Sequence, residues 1–237
     1  MPEKIPLYTQ SRETAQKQGE ISLWQQSQEE NIRCAQAIRN AIDKHYDGYS
    51  LGPAAAQPVI EDFGYDRIFW VIANTIQIKD GDGRFSYDNR GWADRIHIPH
   101  DRQNIDFLID GRSGLLDLFL NEAKEQYHKS LGMFERSQCE SGAQDYERRV
   151  LVVKPDWLSE PYKRSAYQLF YATGGFGCHP DSLGWKVMGR FLFDGEQATL
   201  SRAHFLGVLK DEFLPEWAEE KLKELQPQDE QQNHPSM

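Results

Sequence analysis

The sequence predicts an α+β protein, in which an all-helical N-terminal unit precedes a small α+β unit with a short antiparallel sheet. Through the first 131 residues, apolar side chains recur at the spacing of amphipathic helices. Beyond residue 147, short β-branched and aromatic runs alternate with turn residues, which is typical of strands. We therefore expect a helical domain at 1–131, a linker at 132–147, an α+β domain at 148–225 and a disordered tail at 226–237.

The helices of the first unit follow from periodicity and capping residues. The longest is expected from about Glu20 to Tyr46. A shorter one is expected from Pro53 to Phe63, and another from Tyr65 to Ile78, where β-branched residues also permit a strand but length and period favour a helix. Ser86 and Ser113 can each cap a further helix through the side-chain oxygen.

The second unit is expected to begin with four strands, at 149–153, 167–172, 186–193 and 197–200. Asp194-Gly195 is a hairpin signal between the last two strands. Ser201 can start a short helix toward Leu206, and the final helix is expected at 212–225.

Composition limits the class of protein. The net charge is −10, and residues 211–237 hold eight acids and two lysines, so most of the acidity lies at the C-terminal end. No basic stripe is present to neutralise phosphates, which disfavours direct nucleic-acid binding. No run of 18 apolar residues is present, and the first residues do not resemble a secretory signal. Cys34, Cys139 and Cys178 are odd in number and widely spaced, which favours reduced thiols in a cytoplasm.

The stretch from Asp80 to Ala93 superficially matches a calcium loop. Asp80 and Asp82 occupy its first and third positions, but Phe85 stands where glycine is needed and Gly91 where a bidentate acid is needed. We therefore expect no metal here but a turn between helices, with Gly81 and Gly83 permitting positive φ. Six residues are candidates for binding a partner: Asp82, Arg84, Phe85, Asp88, Arg90 and Trp92.

A glycine-rich stretch follows the second predicted strand. It lacks the signatures of a P-loop or a dinucleotide site, so phosphate binding is the weaker interpretation and a tight strand exit the stronger. The candidate residues for a ligand loop are Gly174, Gly175, Phe176, Gly177 and His179. Cys178 next to His179 is a poor thiolate pair, because adjacent side chains on an extended backbone point to opposite sides. The cluster from His97 to Asp101 lacks the further ligands of a zinc site, so a solvated turn is expected there.

Several of these stretches together resemble a family of uncharacterised proteins encoded on conjugative and other mobile elements of gut bacteria. The residues that carry this resemblance are Ser27, Asn31, Cys34, Ile38, Ile42, Phe63-Gly64, Arg67, Val71 to Thr75, Asp82 to Ser86, Asn89 and Trp92-Ala93. In the second unit, Thr173 to Gly177, Gly184, Val187, Asp194 to Glu196, Arg202 and Phe205 to Leu209 are similar to a module that accompanies large polyvalent proteins of such elements. This module often has an arginine near its glycine loop, where this chain has Trp185 after Gly184.

The resemblance implies a bacterial cytoplasmic protein of mobile-element cargo and no particular reaction. We therefore expect a non-catalytic module that binds another protein and needs no cofactor. Its most concrete version inhibits a host defence nuclease of the CRISPR or restriction type. One alternative is an enzyme or ligand-binding protein that holds a phosphorylated small molecule at Gly174–Gly177, and another is a structural subunit of conjugation machinery. The partner and the oligomeric state are left open.

Overall fold

The computed structural model describes residues 4–99 and 102–232. It confirms the predicted α+β class, with helices first and an antiparallel sheet after them. The chain divides into two compact units between Tyr127 and His128, whereas the sequence predicts the end of the helical domain at residue 131. Among the described residues, no helix has the length and apolar character needed to cross a membrane.

The first unit contains six α-helices within the described part of the chain. They are α1 (Arg12–Gln18), α2 (Ile21–His45), α3 (Gln57–Phe63), α4 (Tyr65–Ile78), α5 (Tyr87–Ala93) and α6 (Ser113–Ser130), the last of which runs past the division between the units. The helical interpretation of α4 is confirmed, and Ser86 caps α5 by accepting from the Asn89 N–H. Helix α1 was not predicted, although Ser11 caps its start and Gly19 ends it in the left-handed conformation.

One apolar core holds these helices together. Cys34, Ile38 and Ile42 on one face of α2 pack in the same cluster as α4 residues such as Ile68 and Ile72. Burial covers most of α4, from Arg67 to Ile76, which explains why its sequence is almost continuously apolar.

The second unit is built on a five-stranded antiparallel sheet in the order β4-β3-β2-β1-β5. The strands are β1 (Val150–Val153), β2 (Leu169–Gly174), β3 (Lys186–Phe191), β4 (Gln197–Ser201) and β5 (Phe205–Val208). A short helix, α7 (Ser165–Gln168), precedes β2. The predicted helix from Ser201 to Leu206 is wrong: only Arg202–His204 form a 3₁₀ turn, and β5 then pairs with β1.

Apolar side chains cover both faces of the sheet. Leu151 and Val153 of β1 belong to one cluster, whereas Val150 and Val152 belong to the other. Helix α8 (Glu216–Gln232) contributes Ala218 to the second cluster. Because β1 lies between two strands and is buried on both faces, its sequence is an unbroken apolar run.

Two predicted boundaries differ from the structure. The segment 132–147, predicted as a linker, belongs to the second unit: Cys139 and Tyr146 are buried, and the Glu140 N–H donates to the Val208 carbonyl (2.8 Å). The segment was predicted as a linker because most of its residues are polar, yet three buried residues, Met133, Cys139 and Tyr146, tie it to the second unit. Helix α8 reaches Gln232, beyond the predicted end at residue 225, and the predicted tail from 233 onward lies outside the described residues.

Candidate functional sites

The stretch from Asp82 to Ser86, here called the Asp82 loop, links α4 to α5. The Asp82 carboxylate accepts two hydrogen bonds from the Arg84 guanidinium (2.8 and 2.7 Å) and one from the Ser113 hydroxyl (2.6 Å). The Ser113 hydroxyl, predicted to cap a helix, therefore donates to the Asp82 loop. Gly81 and Gly83 do not have positive φ, so the expected reason for these glycines is wrong.

Polar side chains along α6 hold the end of this loop and the start of α5. Asp117 accepts from the backbone N–H and hydroxyl of Ser86 (3.0 and 3.1 Å) and from the Asn89 amide (2.8 Å). One turn further along, Asn121 accepts from the same Asn89 amide, and the Lys124 ammonium donates to Asn89 Oδ1 (2.8 Å) and lies 4.5 Å from the Trp92 ring. Asn89, Asp117 and Lys124 of this ladder are buried, so these polar side chains join α5 to α6.

The electrostatics of the Asp82 loop give its carboxylate a structural role. Hydrogen bonds from Arg84 and then Ser113 hold the pKa of Asp82 well below its ordinary value. Both carboxylate oxygens accept hydrogen bonds from the Arg84 guanidinium, and one of them also accepts from Ser113, which disfavours a calcium ligand at this position. In the described ranges, no three His, Cys, Asp or Glu residues gather in a way that could hold a metal ion. His100 and Asp101 of the predicted His97 turn lie outside these ranges.

The six partner-binding candidates of the Asp82 loop and α5 have different environments. Phe85 and Trp92 are buried in the core, which excludes them from a surface contact. Asp82 is largely covered and bound to Arg84, while Arg84 and Asp88 are exposed and Arg90 is half-buried. The sequence interpretation missed Tyr87, which is 80% exposed. The loop and α5 together therefore present scattered polar groups and one aromatic ring.

A second buried polar group ties the N-terminal segment to the helices. The Arg67 guanidinium of α4 donates to Asn31 Oδ1, to the Ser27 carbonyl (3.0 Å) and to the Ile5 carbonyl (2.8 Å). Burial lowers the pKa of Arg67 and raises that of the neighbouring Cys34 to about 12. Ser27, Asn31, Cys34 and Arg67 are among the residues that carry the family resemblance, and here they form one structural contact.

In the second unit, the glycine loop, residues 174–178, packs closely against the segment that leads into β3. Gly175 has φ 105°, and a Cβ built there would lie 2.5 Å from the Lys186 carbonyl oxygen. At Gly177, a Cβ would lie 2.5 Å from the carbonyl of Trp185. These glycines therefore permit close backbone approach.

Arg202 holds the glycine loop from its other side. Its guanidinium donates to the carbonyls of Gly177 and Cys178 (both 2.8 Å) and of Gln144 (2.6 Å), and it lies 3.8 Å from the Tyr146 ring centroid. This cation thus binds backbone oxygens and an aromatic face. Its role was not predicted, since the three carbonyl partners are distant in sequence.

The surroundings of His179 do not suit a phosphate. Its Nδ1 lies 2.7 Å from a carboxylate oxygen of Asp145, and its Nε2 lies 4.0 Å from one of Glu147. The backbone N–H of Glu147 and the His179 side chain lower the pKa of Asp145, which favours a negative charge beside the loop. An anionic ligand would meet two carboxylates here.

The Cys178 thiol is buried under the glycine loop. Its Sγ lies 3.2 Å from the Gly174 carbonyl, and burial raises its pKa to about 11. Burial also raises the pKa of Cys139. Since the thiolate is the nucleophile, these thiols are poorly suited to covalent catalysis at neutral pH. All three cysteines are free thiols.

Large apolar side chains are exposed around the glycine loop. Phe176 is 77% exposed and Trp185 is 60% exposed, and Leu183 is fully exposed. A Cβ built on Gly184 would lie 2.2 Å from the Cβ of Phe176. The segment from Leu183 to Trp185 therefore packs against the glycine loop. We call Phe176, Leu183 and Trp185 the apolar surface of the second unit.

A family model for a protein of unknown function (DUF3849) matches residues 7–128, and the chain belongs to this family. This confirms the predicted resemblance to an uncharacterised family over the helical unit. No curated protein and no solved structure matches the chain. The matched residues include the Asp82 loop and Arg67, whereas the glycine loop and the sheet lie outside the match.

Proposed function

We propose that this protein acts by binding another protein, without catalysis, through the apolar surface of its second unit. The observation that carries the proposal is the exposure of Phe176 on the glycine loop, which Arg202 and the segment entering β3 hold in place, and of Leu183 and Trp185 on the segment packed against it. Exposed aromatic residues grouped on a fixed backbone are typical of the centres of protein interfaces. A rigid loop also loses little conformational entropy when a partner binds.

The chemistry of the conspicuous polar residues supports a non-catalytic role. Cys178 is a buried thiol of raised pKa, and His179 is bound to Asp145. Asp82, the most perturbed carboxyl, is committed to Arg84 and Ser113. Each of these groups stabilises a loop.

A more specific version of the proposal rests on the sequence resemblance. In it, the chain is cytoplasmic cargo of a bacterial conjugative element and inhibits a host CRISPR or restriction nuclease. The partner would then present a basic surface, and six exposed acids on and just before α8 could face it: Asp211, Glu212, Glu216, Glu219, Glu220 and Glu224. Helix α8 packs on the sheet face opposite to Cys178, so this acidic surface is distinct from the apolar one.

Affinity capture with matched baits tests the proposal. The full chain, the double variant Phe176→Ala/Trp185→Ala and the control Tyr87→Ala are each used to capture proteins from a bacterial lysate, which are quantified by mass spectrometry. We expect one partner to be recovered by the wild type and the control, and at least about tenfold less by the double variant, because interface aromatics contribute about 2 kcal/mol or more each. Equal recovery by all three baits would contradict a role for the apolar surface.

Salt dependence of the purified complex separates the two surfaces. If the acidic surface contributes, affinity falls between low and high salt, and charge-neutral variants of Glu216 and Glu220 reduce this fall. An affinity independent of salt would exclude the electrostatic version. The alternative of a phosphorylated ligand predicts thermal stabilisation of the isolated protein by nucleotides, which the binding proposal does not.

A further inference from the structure

A cavity of about 350 Å³ lies beside the β3–β4 hairpin of the second unit, at the opposite end of β3 from Trp185. Its walls include four aromatic residues and two acids: Trp157, Tyr162, Tyr167, Phe191, Asp194 and Glu196. Its volume is within the usual range for small-ligand sites.

The aromatic walls are held in place by neighbouring rings. The indole of Trp157 stacks on the His204 ring (3.6 Å between centroids, 18° between planes), and the residue is 46% exposed. Tyr162 is 48% exposed and meets Tyr167 edge-on at 5.0 Å, and Tyr167 in turn contacts Phe193 at 4.4 Å. The cavity thus offers ordered aromatic surface to a ligand.

The charge beside these rings is negative. Asp194 and Glu196 are exposed, and neither carboxylate has a basic partner among the residues that the structure describes. The only hydrogen bond here to Asp194 comes from the Glu196 backbone N–H (3.0 Å) within the described part of the hairpin. The nearby Lys163 ammonium donates to Glu160 (2.6 Å), which offsets its positive charge.

We infer that this cavity binds an alkylated ammonium group. Aromatic faces attract a large, weakly hydrated cation through their quadrupoles, and the two carboxylates add a favourable charge. A phosphate would be repelled by the acids, while a neutral apolar group would gain nothing from their charge. The site is independent of the proposed function, since the apolar surface lies at the other end of β3, roughly 20 Å away at about 3.3 Å per residue.

Titration of the ¹⁵N-labelled full chain with choline tests this inference. We expect the Trp157 indole resonance to shift saturably, and 3,3-dimethyl-1-butanol, which has the same shape without the charge, to bind at least about fivefold more weakly, as expected for a cation–π contact. Trp157→Ala should weaken choline binding about tenfold, whereas Trp185→Ala, which removes an exposed tryptophan at the other end of the strand, should leave it unchanged. Equal affinity for the neutral analogue, or no shift of Trp157, would overturn the inference.

A second variant and a second ligand complete the test. Glu196→Gln keeps the shape of the cavity and should weaken choline binding while the unfolding temperature is retained, so a loss of fold cannot imitate the result. A peptide with trimethyl-lysine is then compared with the same peptide with unmodified lysine. Tighter binding of the methylated peptide than of choline assigns the ligand to a protein, and tighter binding of choline assigns it to a small molecule. Unchanged choline affinity in Glu196→Gln and Asp194→Asn would contradict a cation site.

Discussion

The Asp82 loop contains Gly83 and the glycine loop contains Gly174, Gly175 and Gly177, but the two loops are stabilised in different ways. In the Asp82 loop, side chains hold the backbone: Asp82 binds Ser113, and Asp117 binds Ser86. In the glycine loop, the backbone itself packs on the segment entering β3, at Gly175 and Gly177. The first loop buries its aromatic residue, Phe85, while the second exposes Phe176.

This difference shows why the two loops suit different roles. A loop fixed through its own side chains has few of them left to offer a partner. When the backbone alone fixes a loop, its side chains remain available on a rigid support. The comparison therefore favours the glycine loop as the binding element and the Asp82 loop as a helix junction.

The largest effect is expected for Gly175→Ala. The left-handed φ of 105° and the 2.5 Å approach to the Lys186 carbonyl together should lower the free energy of unfolding of the second unit by about 2–5 kcal/mol. Gly83→Ala is the matched control in the Asp82 loop, where no atom lies within 4 Å of the added Cβ and the change should stay within about 0.5 kcal/mol. Urea unfolding followed by tryptophan fluorescence measures both. Similar values for the two variants would remove the distinction between the loops.

The next effect is expected for Asp117→Ala in the α6 ladder. The buried amide of Asn89 and the part-buried N–H and hydroxyl of Ser86 would lose their acceptor, and the free energy of unfolding should fall by about 1–3 kcal/mol, mainly through the Asn89 amide. Asp88→Ala removes an exposed acid from the same region and should change little. Thermal unfolding compares the two variants. A small effect of Asp117→Ala would mean that the ladder does not hold the loop.

A smaller effect is expected from Asp82, and it depends on pH. Because hydrogen bonds lower its pKa in the folded state, its contribution to stability is fully present above the unfolded pKa of about 4 and is lost as the pH falls toward the folded value. The wild type should therefore be more stable than Asp82→Asn at pH 7, and the difference should shrink below pH 4. Denaturant unfolding of both proteins across this range measures it. A difference that is constant with pH would contradict the paired state of Asp82.

The smallest effect is expected for His179→Gln. The pair with Asp145 is about half exposed, so removing it should change the free energy of unfolding by less than about 1 kcal/mol. The remaining effect should disappear at high salt, since solvent ions screen an exposed pair. Unfolding at low and high salt provides the measurement. A loss larger than that of Asp117→Ala would give His179 a structural role that its exposure does not indicate.

The sequence by itself determined the features that depend on local periodicity. Residue spacing and turn chemistry act over a few neighbouring positions. They are enough to predict helices α2 and α4, the Ser86 cap and strands β1 to β4. The class of the fold followed from these elements, because each must cover its apolar face.

Only the tertiary structure decided which elements pair and which side chains are buried between them. Strand β5 exists because β1 offers it an open edge, and Cys139 and Tyr146 fix the polar segment 132–147 to the sheet. The burial of Trp92 and the exposure of Trp185 likewise have no local cause, since identical side chains differ only in what the fold places against them. Contacts between distant residues, such as Arg202 with Gly177, follow from the path of the whole chain, which local pattern does not encode.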